Sequence, residues 1–434
     1  MFAVVVGGVL LGSVALIAIG VPALAAPRSG GDLRIYYRSP ILVRPGERVR
    51  IPVDVACHTA GGRSCGATVS LGITDRAGRW RWFSERGRPS LQFDLTGPAT
   101  RAAVARSRTG SLAYRLSAAG PDGRSVSLPA EAGSLRLYVA GGMRRIAVPT
   151  GRSVETRRGR VALNLPWGTG PNRAGLSPGN EAATVGPPSF DVDARGRIYL
   201  FDALQGRVAV YRRGKLLRQI GVASVGPQSD IDVARDGTIY LATQANGRVR
   251  AQALARSGRV LQREDLGPGI LAEIRAPGRR AFLHLLPADA WFALDRSRAR
   301  PRPGMPLPSG GVLVDSIVGR TVRIGVARGP EVERSFELAS GRPLGELALG
   351  DADAARGMVA GFRVLGRKAE GPGRYVVIRL GRNGQPDAFA IPAGGFADQP
   401  AYSQVRLGGD GRLYQLRTFP DGMRILRYDV GEGS

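Results

Sequence analysis

The stretch FDVDARGRIYLFDALQGRVAVYRRGKLLRQI, residues 190–220, decides the fold, because it returns 41 positions later as DVARDGTIYLATQANGRVR, residues 232–250. The turn glycine, the Ile-Tyr-Leu triplet and the Gly-Arg-Val triplet keep their spacing in both copies. Each copy alternates a turn rich in Asp and Gly with a short apolar strand, and then repeats that pair. We therefore expect one β-structural unit to recur along the chain.

A third copy, GGDGRLYQLRTFPDGMRILRYDVG at residues 408–431, lies near the end of the chain. Repeats of about 40–45 residues with four strands each are typical of a β-propeller, whose neighbouring blades cover the faces that one blade cannot bury. Tyr199 and Tyr414 are 215 residues apart, which five intervals of about 43 residues fill. This spacing predicts six blades over 159–434, with weaker copies at 279–295, 310–329 and 356–384.

The repeats resemble the NHL family of six-bladed propellers. The segments that carry this resemblance are LPWGTGPNRAG at 165–175 and the opening stretch. The positions that fit the family pattern are Trp167, Gly168, Gly196, Tyr199, Asp202, Arg207, Gly214 and Lys215. The second copy departs from the pattern with Thr243 at the strand-end Asp position, and the third copy departs with Arg417. The resemblance implies a propeller fold and is good over about a third of the chain.

The last copy supplies three strands, whereas a blade needs four. GRVALNLPWG, residues 159–168, alternates apolar Val161, Leu163 and Leu165 with other residues, as a half-buried strand does. An uncovered last strand would leave an exposed sheet edge. We therefore predict that Arg160–Leu165 pairs antiparallel with Met423–Tyr428 and ties the two ends of the propeller together.

The region from 32 to 150 has another pattern of short strands. Ile51, Val53 and Val55 alternate with polar residues, and further apolar runs are separated by turns such as PDGR. Period-2 patterning over five to seven strands predicts a β-sandwich, loosely similar to bacterial Ig-like domains. With 43% hydrophobic residues, 62 Gly, 30 Pro and few amphipathic helices, the chain is predicted to be an all-β protein of two folded domains.

Residues 1–26 contain no charge and are almost entirely apolar. Ala23-Leu24-Ala25 has the small-x-small pattern of a signal-peptidase site, while about 20 apolar residues could also span a bilayer. No Lys or Arg precedes the apolar run. The segment predicts either a cleaved signal peptide or a membrane anchor, and both place the rest of the chain outside the cytoplasm.

Cys57 and Cys65 are the two cysteines, and a short glycine-bearing loop separates them. In an oxidising compartment this spacing predicts a disulfide across a hairpin. His58 beside the thiols completes at most three metal ligands at poor spacing, so a metal site is disfavoured.

The net charge is +27, from 62 basic and 35 acidic residues, and Lys occurs only at positions 215 and 368. Such a charge predicts attraction to anionic material such as lipid headgroups or acidic polysaccharide. Nucleic acid is the usual partner of basic chains. Predicted export and the scattered arginines argue against nucleic acid, and a solvated basic surface is the simpler alternative to any anionic partner.

The sequence contains few groups for catalysis. His58 and His284 are the histidines, and His284 lies in an apolar strand where packing is the favoured role. Asp191, Asp232 and Asp410 could face a central channel and hold a divalent ion, but turn residues that accept backbone N–H bonds are the favoured interpretation.

Two further sets of charged residues fit structural roles. Asp193 and Asp202 flank one strand and do not form an acid–base pair. Arg207 and Arg248 are expected to pair with neighbouring blades or to bind carbonyls, with an anion-binding ring as the alternative. No catalytic, cofactor-binding or metal-binding residue is therefore assigned, and no cofactor is expected.

The function favoured by these observations is binding or scaffolding at the bacterial cell envelope, with a protein or an anionic glycan as partner. The alternative is a propeller enzyme, a lyase or lactone hydrolase, with a divalent metal in the central channel. A convergent set of ionisable residues at one mouth of the channel would distinguish the two. The fold alone does not decide between them.

Overall fold

The computed structural model is almost entirely β-structure. The residues that it describes are 33–37, 42–45, 47, 50–58, 66–74, 80–87, 90–94, 109–128, 135–150, 154–177, 184–222, 228–286, 290–294, 302, 304–318, 320–353, 357–365, 373–381, 386–396 and 404–430. No helix within these ranges is long and apolar enough to cross a membrane. The leader, 1–26, lies outside them, so its role stays a prediction.

The first region contains nine strands in two sheets. Their bounds are β1 Leu33–Tyr37, β2 Leu42–Val43, β3 Arg50–Cys57, β4 Ala67–Thr74, β5 Trp80–Gly87, β6 Ser90–Asp94, β7 Thr109–Ala119, β8 Ser125–Leu128 and β9 Leu135–Ala140. One sheet has the order β1-β3-β6, and the six-stranded sheet has the order β2-β9-β7-β4-β5 with β8 beside β7.

Both sheets contribute their alternate residues to one core. Ile51, Val53 and Val55 of β3 are buried, as the alternation predicts, and they belong to the same cluster as Leu71 of β4 and Leu116 of β7. Successive side chains of a strand point to opposite faces, so each sheet has one apolar face and one outer face.

The second region begins with β10, Arg144–Val148, and β11, Arg160–Pro166, and continues with 22 strands. These are β12 Ser189–Val192, β13 Ile198–Asp202, β14 Arg207–Arg212, β15 Lys215–Gly221, β16 Gln228–Val233, β17 Ile239–Ala245, β18 Arg248–Leu254, β19 Val260–Pro268, β20 Ile270–Arg275, β21 Phe282–Leu286, β22 Ala290–Ala293, β23 Met305–Pro306, β24 Val312–Val318, β25 Thr321–Arg328, β26 Glu331–Ser340, β27 Leu344–Asp353, β28 Gly357–Val364, β29 Arg374–Leu380, β30 Pro386–Pro392, β31 Val405–Leu407, β32 Leu413–Phe419 and β33 Gly422–Tyr428. A 3-10 turn, η1 Ala203–Gln205, follows β13.

These strands form sheets that succeed one another along the chain. We number them sheet 1 (β12–β15), sheet 2 (β16–β19), sheet 3 (β20–β22), sheet 4 (β23–β26 with β10), sheet 5 (β27–β30) and sheet 6 (β31–β33 with β11). Within each sheet the consecutive strands pair antiparallel. The first strands contact one another from sheet 1 to sheet 2 to sheet 3, and from sheet 5 to sheet 6 to sheet 1. This arrangement is β-propeller-like.

The sequence repeat corresponds to one turn between the first and second strands. Gly196, Gly237 and Gly411 all have a left-handed backbone, with φ of 67°, 86° and 79°. Each donates its N–H to the carbonyl three residues before it, at 2.9, 2.8 and 2.8 Å. Glycine adopts this conformation without the steric cost that a Cβ imposes, which explains why it recurs.

The two ends of the second region meet as predicted. β11 pairs antiparallel with β33, so that Arg160 lies opposite Arg427 and Leu165 lies opposite Met423. Leu163, Leu165, Met423 and Ile425 are all buried in one cluster with residues of sheet 1. The predicted pairing of Arg160–Leu165 with Met423–Tyr428 is confirmed.

The segment before β11 also binds the outside of sheets 4 and 5. β10 pairs parallel with β26, and Thr156 forms a parallel bridge with Ala390 of β30. The backbone N–H of Ala390 donates to the carbonyl of Glu155, and the carbonyl of Ala390 accepts the backbone N–H of Arg157. β10 lies within the range 32–150 that the sequence assigns to the sandwich, but its pairing partner belongs to sheet 4. Residues 144–148, 155–157 and 160–166 therefore add an outer strand or bridge to three successive sheets.

The first region contacts sheet 4 through an ion pair, apolar packing and a hydrogen bond. The guanidinium of Arg323 on β25 binds both carboxylate oxygens of Glu47, at 2.6 and 2.8 Å. Leu42 and Tyr138 pack with Val314 and neighbouring apolar residues, and the backbone N–H of Leu42 donates to Ser316 at 2.8 Å. A bidentate Arg–carboxylate pair fixes orientation as well as distance.

Candidate functional site

Charged residues from four sheets meet at the centre of the second region. We call Asp191, Asp230, Asp232, Glu273, Arg275 and Arg406 the central ionic cluster. Asp191, Asp232 and Arg406 lie five residues before the turn glycines of their repeats, and each is paired with the tyrosine of the next strand. The repeat therefore brings one equivalent position from sheets 1, 2 and 6 to the same centre.

Arg406 is the residue that joins the cluster. Its side chain is 3% exposed and its Nη2 lies 2.6 Å from Oδ1 of Asp230, while Nη1 lies 3.2 Å from Oε1 of Glu273. Nη2 also donates to the carbonyl of Ile231 at 3.2 Å. Arg406 starts on sheet 6, yet it binds carboxylates of sheets 2 and 3. A side chain can reach those two sheets only if their first strands surround a common centre.

Asp230 and Glu273 are bound by other donors as well. Asp230 accepts backbone N–H bonds from Ile231 and Ile274, both at 2.9 Å, and a hydrogen bond from the Ser189 hydroxyl. Glu273 accepts from Nε of Arg275 at 2.6 Å. Arg275 in turn donates to the carbonyl of Gly350 on sheet 5 at 3.3 Å. The network thus extends across sheets 1, 2, 3, 5 and 6.

Asp191 and Asp232 make the same contact in successive sheets. Asp191 accepts the N–H of Val233 on sheet 2 at 2.7 Å. Asp232 accepts the N–H of Ala276, which follows sheet 3. Each carboxylate therefore binds the backbone of the next repeat and holds neighbouring sheets in register.

The pKa values of Asp191 and Asp232 are both raised above the ordinary value of an aspartate. Burial raises the pKa of Asp191, and the charge of Arg406 only partly opposes this. Burial, followed by the neighbouring Asp191 charge, raises the pKa of Asp232 to about 8. Asp232 keeps a little exposed surface although protein surrounds it on most sides. At neutral pH the Asp191–Asp232 pair therefore favours a protonated state.

Arg406 stays charged. Burial opposes its charge, but the carboxylates of Asp230 and Glu273 outweigh that penalty and raise its pKa. A buried guanidinium bound to carboxylates on two sheets is a strong positional restraint, since removal of either side leaves an uncompensated charge.

The structure corrects one expectation about the aspartates. Asp410 is a turn residue, and its carboxylate accepts the N–H of Arg412 at 3.1 Å. Asp191 and Asp232 are strand residues of β12 and β16, so the turn assignment was wrong for both. They do accept backbone N–H bonds from the neighbouring sheet, because the first strands of successive sheets lie beside one another.

The other residues singled out from the sequence have structural partners. Arg207 donates to the carbonyl of Arg173 at 2.6 Å and lies 3.4 Å from Asp202, while Arg248 pairs with Asp265 at 3.0 Å. The prediction that these arginines bind carbonyls is confirmed for Arg207. Pairing with a neighbouring blade is wrong for Arg248, because Asp265 belongs to its own sheet.

Asp193, Asp202 and His284 are likewise held by their surroundings. Asp193 binds the guanidinium of Arg197, with Nε at 2.7 Å. Asp202 accepts the N–H of Gly175 at 3.1 Å, and burial raises its pKa. His284 stacks on Trp291 with ring centroids 5.0 Å apart, which confirms its packing role.

The predicted disulfide cannot be followed to both cysteines. Cys57 is buried at the end of β3, and Cys65 lies outside the described residues. The bond between them stays a prediction. Among the residues that the structure describes, no group of three or more His, Cys, Asp or Glu side chains is arranged to hold a metal ion.

The sequence contains one feature that indicates the central ionic cluster, although no motif marks it. Aligning the three repeats on their turn glycines places Arg406 in the column of Asp191 and Asp232. Opposite charges in one column of a cyclic repeat indicate contact at the centre. Glu273 and Arg275 carry no such signal, because sheet 3 is too divergent in sequence to align with these repeats, and Asp230 aligns with the uncharged Ser189.

Comparisons with known proteins give no family. No protein-family model and no curated protein matches the chain. Among solved structures, hydrazine synthase from Kuenenia stuttgartiensis is 11% identical over 52% of this chain and 72% of its own, with a TM-score of 0.33. A quinonprotein alcohol dehydrogenase-like protein from Bacteroides thetaiotaomicron is 10% identical over 90% of this chain and 79% of its own, with a TM-score of 0.28.

A catalytically inactive variant of virginiamycin B lyase from Staphylococcus aureus, solved with quinupristin, is 11% identical. It covers 74% of this chain and 95% of its own, with a TM-score of 0.30. TM-scores below 0.5 transfer no activity, so the function has to be argued from the residues of this chain. What the chain itself supports at this point is an all-β, β-propeller-like protein with a central ionic cluster.

Proposed function

We propose that this chain is an exported binding or scaffolding protein of the bacterial cell envelope. It consists of an Ig-like β-sandwich followed by a six-bladed, NHL-like β-propeller, and its partner is an envelope protein or an anionic glycan. Sheets 1–6 supply the six blades, and the β11–β33 pairing joins the first to the last. The leader, residues 1–26, directs or anchors the chain outside the cytoplasm.

The observation that carries a binding function is the saturation of the central carboxylates. Asp230 and Glu273 are bound by Arg406, and Asp191 and Asp232 accept backbone N–H bonds from the next sheet. An enzyme of the lyase or lactone hydrolase class needs ionisable groups that are free to meet a substrate, a water or a metal. Here those groups hold the sheets together, which favours a scaffold with a ligand on its surface.

The charge supports an anionic partner. A net charge of +27 over 434 residues attracts polyanions at long range, and this attraction weakens as salt screens it. The Debye length falls from about 30 Å at 0.01 M to about 8 Å at 0.15 M ionic strength. An association based on this charge therefore depends steeply on salt.

The test is fractionation of the full chain, carrying a C-terminal tag, in a bacterial host. If the leader is cleaved, we expect the protein to sediment with the envelope at 0.01 M salt and to be released progressively as salt increases; if the leader anchors the chain, the protein should stay with the membrane at every salt concentration. Its cysteines should be unreactive to a thiol reagent in the unfolded state. A reduced protein in the cytoplasmic fraction, or one that never sediments with envelope, would contradict the proposal.

A further inference from the structure

Two tryptophans lie side by side on the outer face of the six-stranded sheet. Trp80 and Trp82 are two residues apart on β5, so both point to the same face. Their ring centroids are 6.1 Å apart and their planes are tilted by 31°. Trp82 is 49% exposed. Their face is the outer one because their partners Thr74 and Gly72 alternate with the buried Leu71 and Ile73.

Large, partly exposed aromatic side chains are unfavourable on a strand at the edge of a sheet, because they promote association with other chains. β5 ends the order β2-β9-β7-β4-β5, so one side of its backbone has no partner strand among the described residues. Exposed edges with large apolar side chains promote aggregation, and proteins usually protect them with charges or bulges. An exposed Trp82 beside a half-buried Trp80 at such a place indicates a binding surface.

The ring of Trp82 lies over a glycine. A Cβ on Gly72 would come within 2.9–3.0 Å of three atoms of that ring, so any other residue here would displace it. Part of the role of Trp82 is therefore to cover the backbone of β4. Its other face is still open, since about half of the side chain is exposed.

Arg115 and two serine hydroxyls lie beside the pair on the same face. Gly72 lies between Trp82 on β5 and Arg115 on β7, and the guanidinium carbon of Arg115 is 5.9 Å from the Trp80 ring centroid. The backbones at Trp82 and Arg115 are two strand spacings apart, which is about 10 Å, and the long Arg115 side chain reaches towards the Trp80 ring. The hydroxyls of Ser70 and Ser84 are hydrogen-bonded at 2.8 Å beside them.

The other edge of this face is covered by the second region. Tyr138 and Leu42, from β9 and β2, pack against residues of sheet 4, and β26 lies against β7 and β9. The open part of the face is thus a strip over β5, β4 and β7, in which the Arg115 guanidinium lies beside the Trp80 ring. We call this strip the Trp–Arg strip.

We propose that the Trp–Arg strip binds an acidic polysaccharide, one that carries uronic acid residues. Aromatic faces bear negative charge density and stack on the weakly positive C–H face of a pyranose ring. A guanidinium pairs with a carboxylate through two parallel hydrogen bonds. The strip offers an aromatic face and a guanidinium side by side, and the chain is strongly basic. The inference rests on the proposed function, because it names the partner class and its site.

A lipid bilayer and a protein strand fit the strip less well. Membrane insertion favours aromatic and aliphatic side chains that protrude into the lipid beside several basic residues, whereas the Trp82 ring lies over Gly72 on the sheet face. A strand added to the edge of β5 would use its backbone and would not need the rings. Both are outcomes that the experiment separates.

The experiment uses the full chain without its leader and measures binding by isothermal titration and by tryptophan fluorescence. The probe is tetragalacturonic acid, and the neutral control is a glucose tetrasaccharide. We expect the acidic probe to bind, and Trp82→Ala to weaken that binding at least tenfold. Trp82→Tyr keeps an aromatic ring and should keep binding within about threefold, which separates ligand stacking from simple folding loss. Arg115→Gln should remove the preference for the acidic over the neutral probe.

Phe83→Ala is the matched control. Phe83 is 43% exposed on the same strand but points to the opposite face, so its loss should leave binding unchanged. Unaltered binding by Trp82→Ala, or equal loss in Phe83→Ala, would overturn the proposal. So would binding to phosphatidylglycerol vesicles, but not to the tetrasaccharide, that depends on Trp82. If the proposed function itself is wrong, the unsubstituted chain will also fail to sediment with envelope at low salt.

Discussion

Replacing Arg406 by Met should destabilise the second region strongly. Met has a similar length and no charge, so it fills the space but leaves Asp230 and Glu273 without their guanidinium. Breaking a buried ion pair by removing one partner costs about 3–5 kcal/mol. The remaining N–H bonds to Asp230 and the pair between Glu273 and Arg275 prevent a larger loss.

The assay is differential scanning calorimetry of the full chain without its leader. At about 2 °C per kcal/mol for a region of this size, the loss corresponds to a fall in Tm of about 6–10 °C. Arg412→Met is the matched control on the same sheet. Its side chain is 46% exposed and pairs with Asp410 and Asp429 at the surface, where such pairs contribute about 0–1 kcal/mol. A control shift below about 2 °C is expected.

Arg406→Lys gives an intermediate case. It keeps the charge but lacks the fork that reaches Asp230 and Glu273 together, so its Tm should fall between those of the unsubstituted chain and Arg406→Met. The reasoning is refuted if Arg406→Met and Arg412→Met shift the Tm equally. In that event the central cluster would not hold the sheets together, and the argument from saturated carboxylates would fail with it.

Three other predictions concern closure, protonation and oxidation. Truncation before Met423 removes almost all of β33, including the buried side chains of Met423, Ile425 and Tyr428, which contribute about 1.5–3 kcal/mol each. The second region should therefore lose upwards of about 4 kcal/mol of unfolding free energy and melt at a lower temperature in calorimetry. An unchanged Tm would contradict closure by β11 and β33. Because the pKa of Asp232 is raised to about 8 in the folded chain, the folded state binds a proton that the unfolded chain lacks between about pH 4 and pH 8. The unfolding free energy should therefore increase as pH falls through this window, and Asp232→Asn should flatten that dependence in denaturant titrations at pH 5, 7 and 9; an equal slope in both proteins would show that Asp232 does not titrate there. Thiol titration of the unfolded, unreduced protein should find no free thiol at Cys57 or Cys65, whereas two free thiols would exclude the disulfide.

The sequence by itself determined the strands, the turns and how the ends of the second region join. Strand positions follow from period-2 alternation, and Gly196, Gly237 and Gly411 mark the same left-handed turn because only glycine adopts it at no cost. The pairing of β11 with β33 could be predicted because a blade with three strands needs a fourth and residues 160–165 have the right alternation. These features depend on local residue patterns, which can be recognised in a single sequence.

Only the tertiary structure decided what meets at the centre and on the surface. Arg406 reaches Asp230 and Glu273, 176 and 133 residues away, because the first strands of the sheets surround one centre. The binding of residues 144–157 to β26 and β30 was not predicted, since any exposed outer strand could accept such a segment. The strand β5 with Trp80 and Trp82 was also missed, because whether a face stays open depends on where the second region packs against it. Contacts between distant segments are set by the geometry of the whole chain, and no local pattern encodes that geometry.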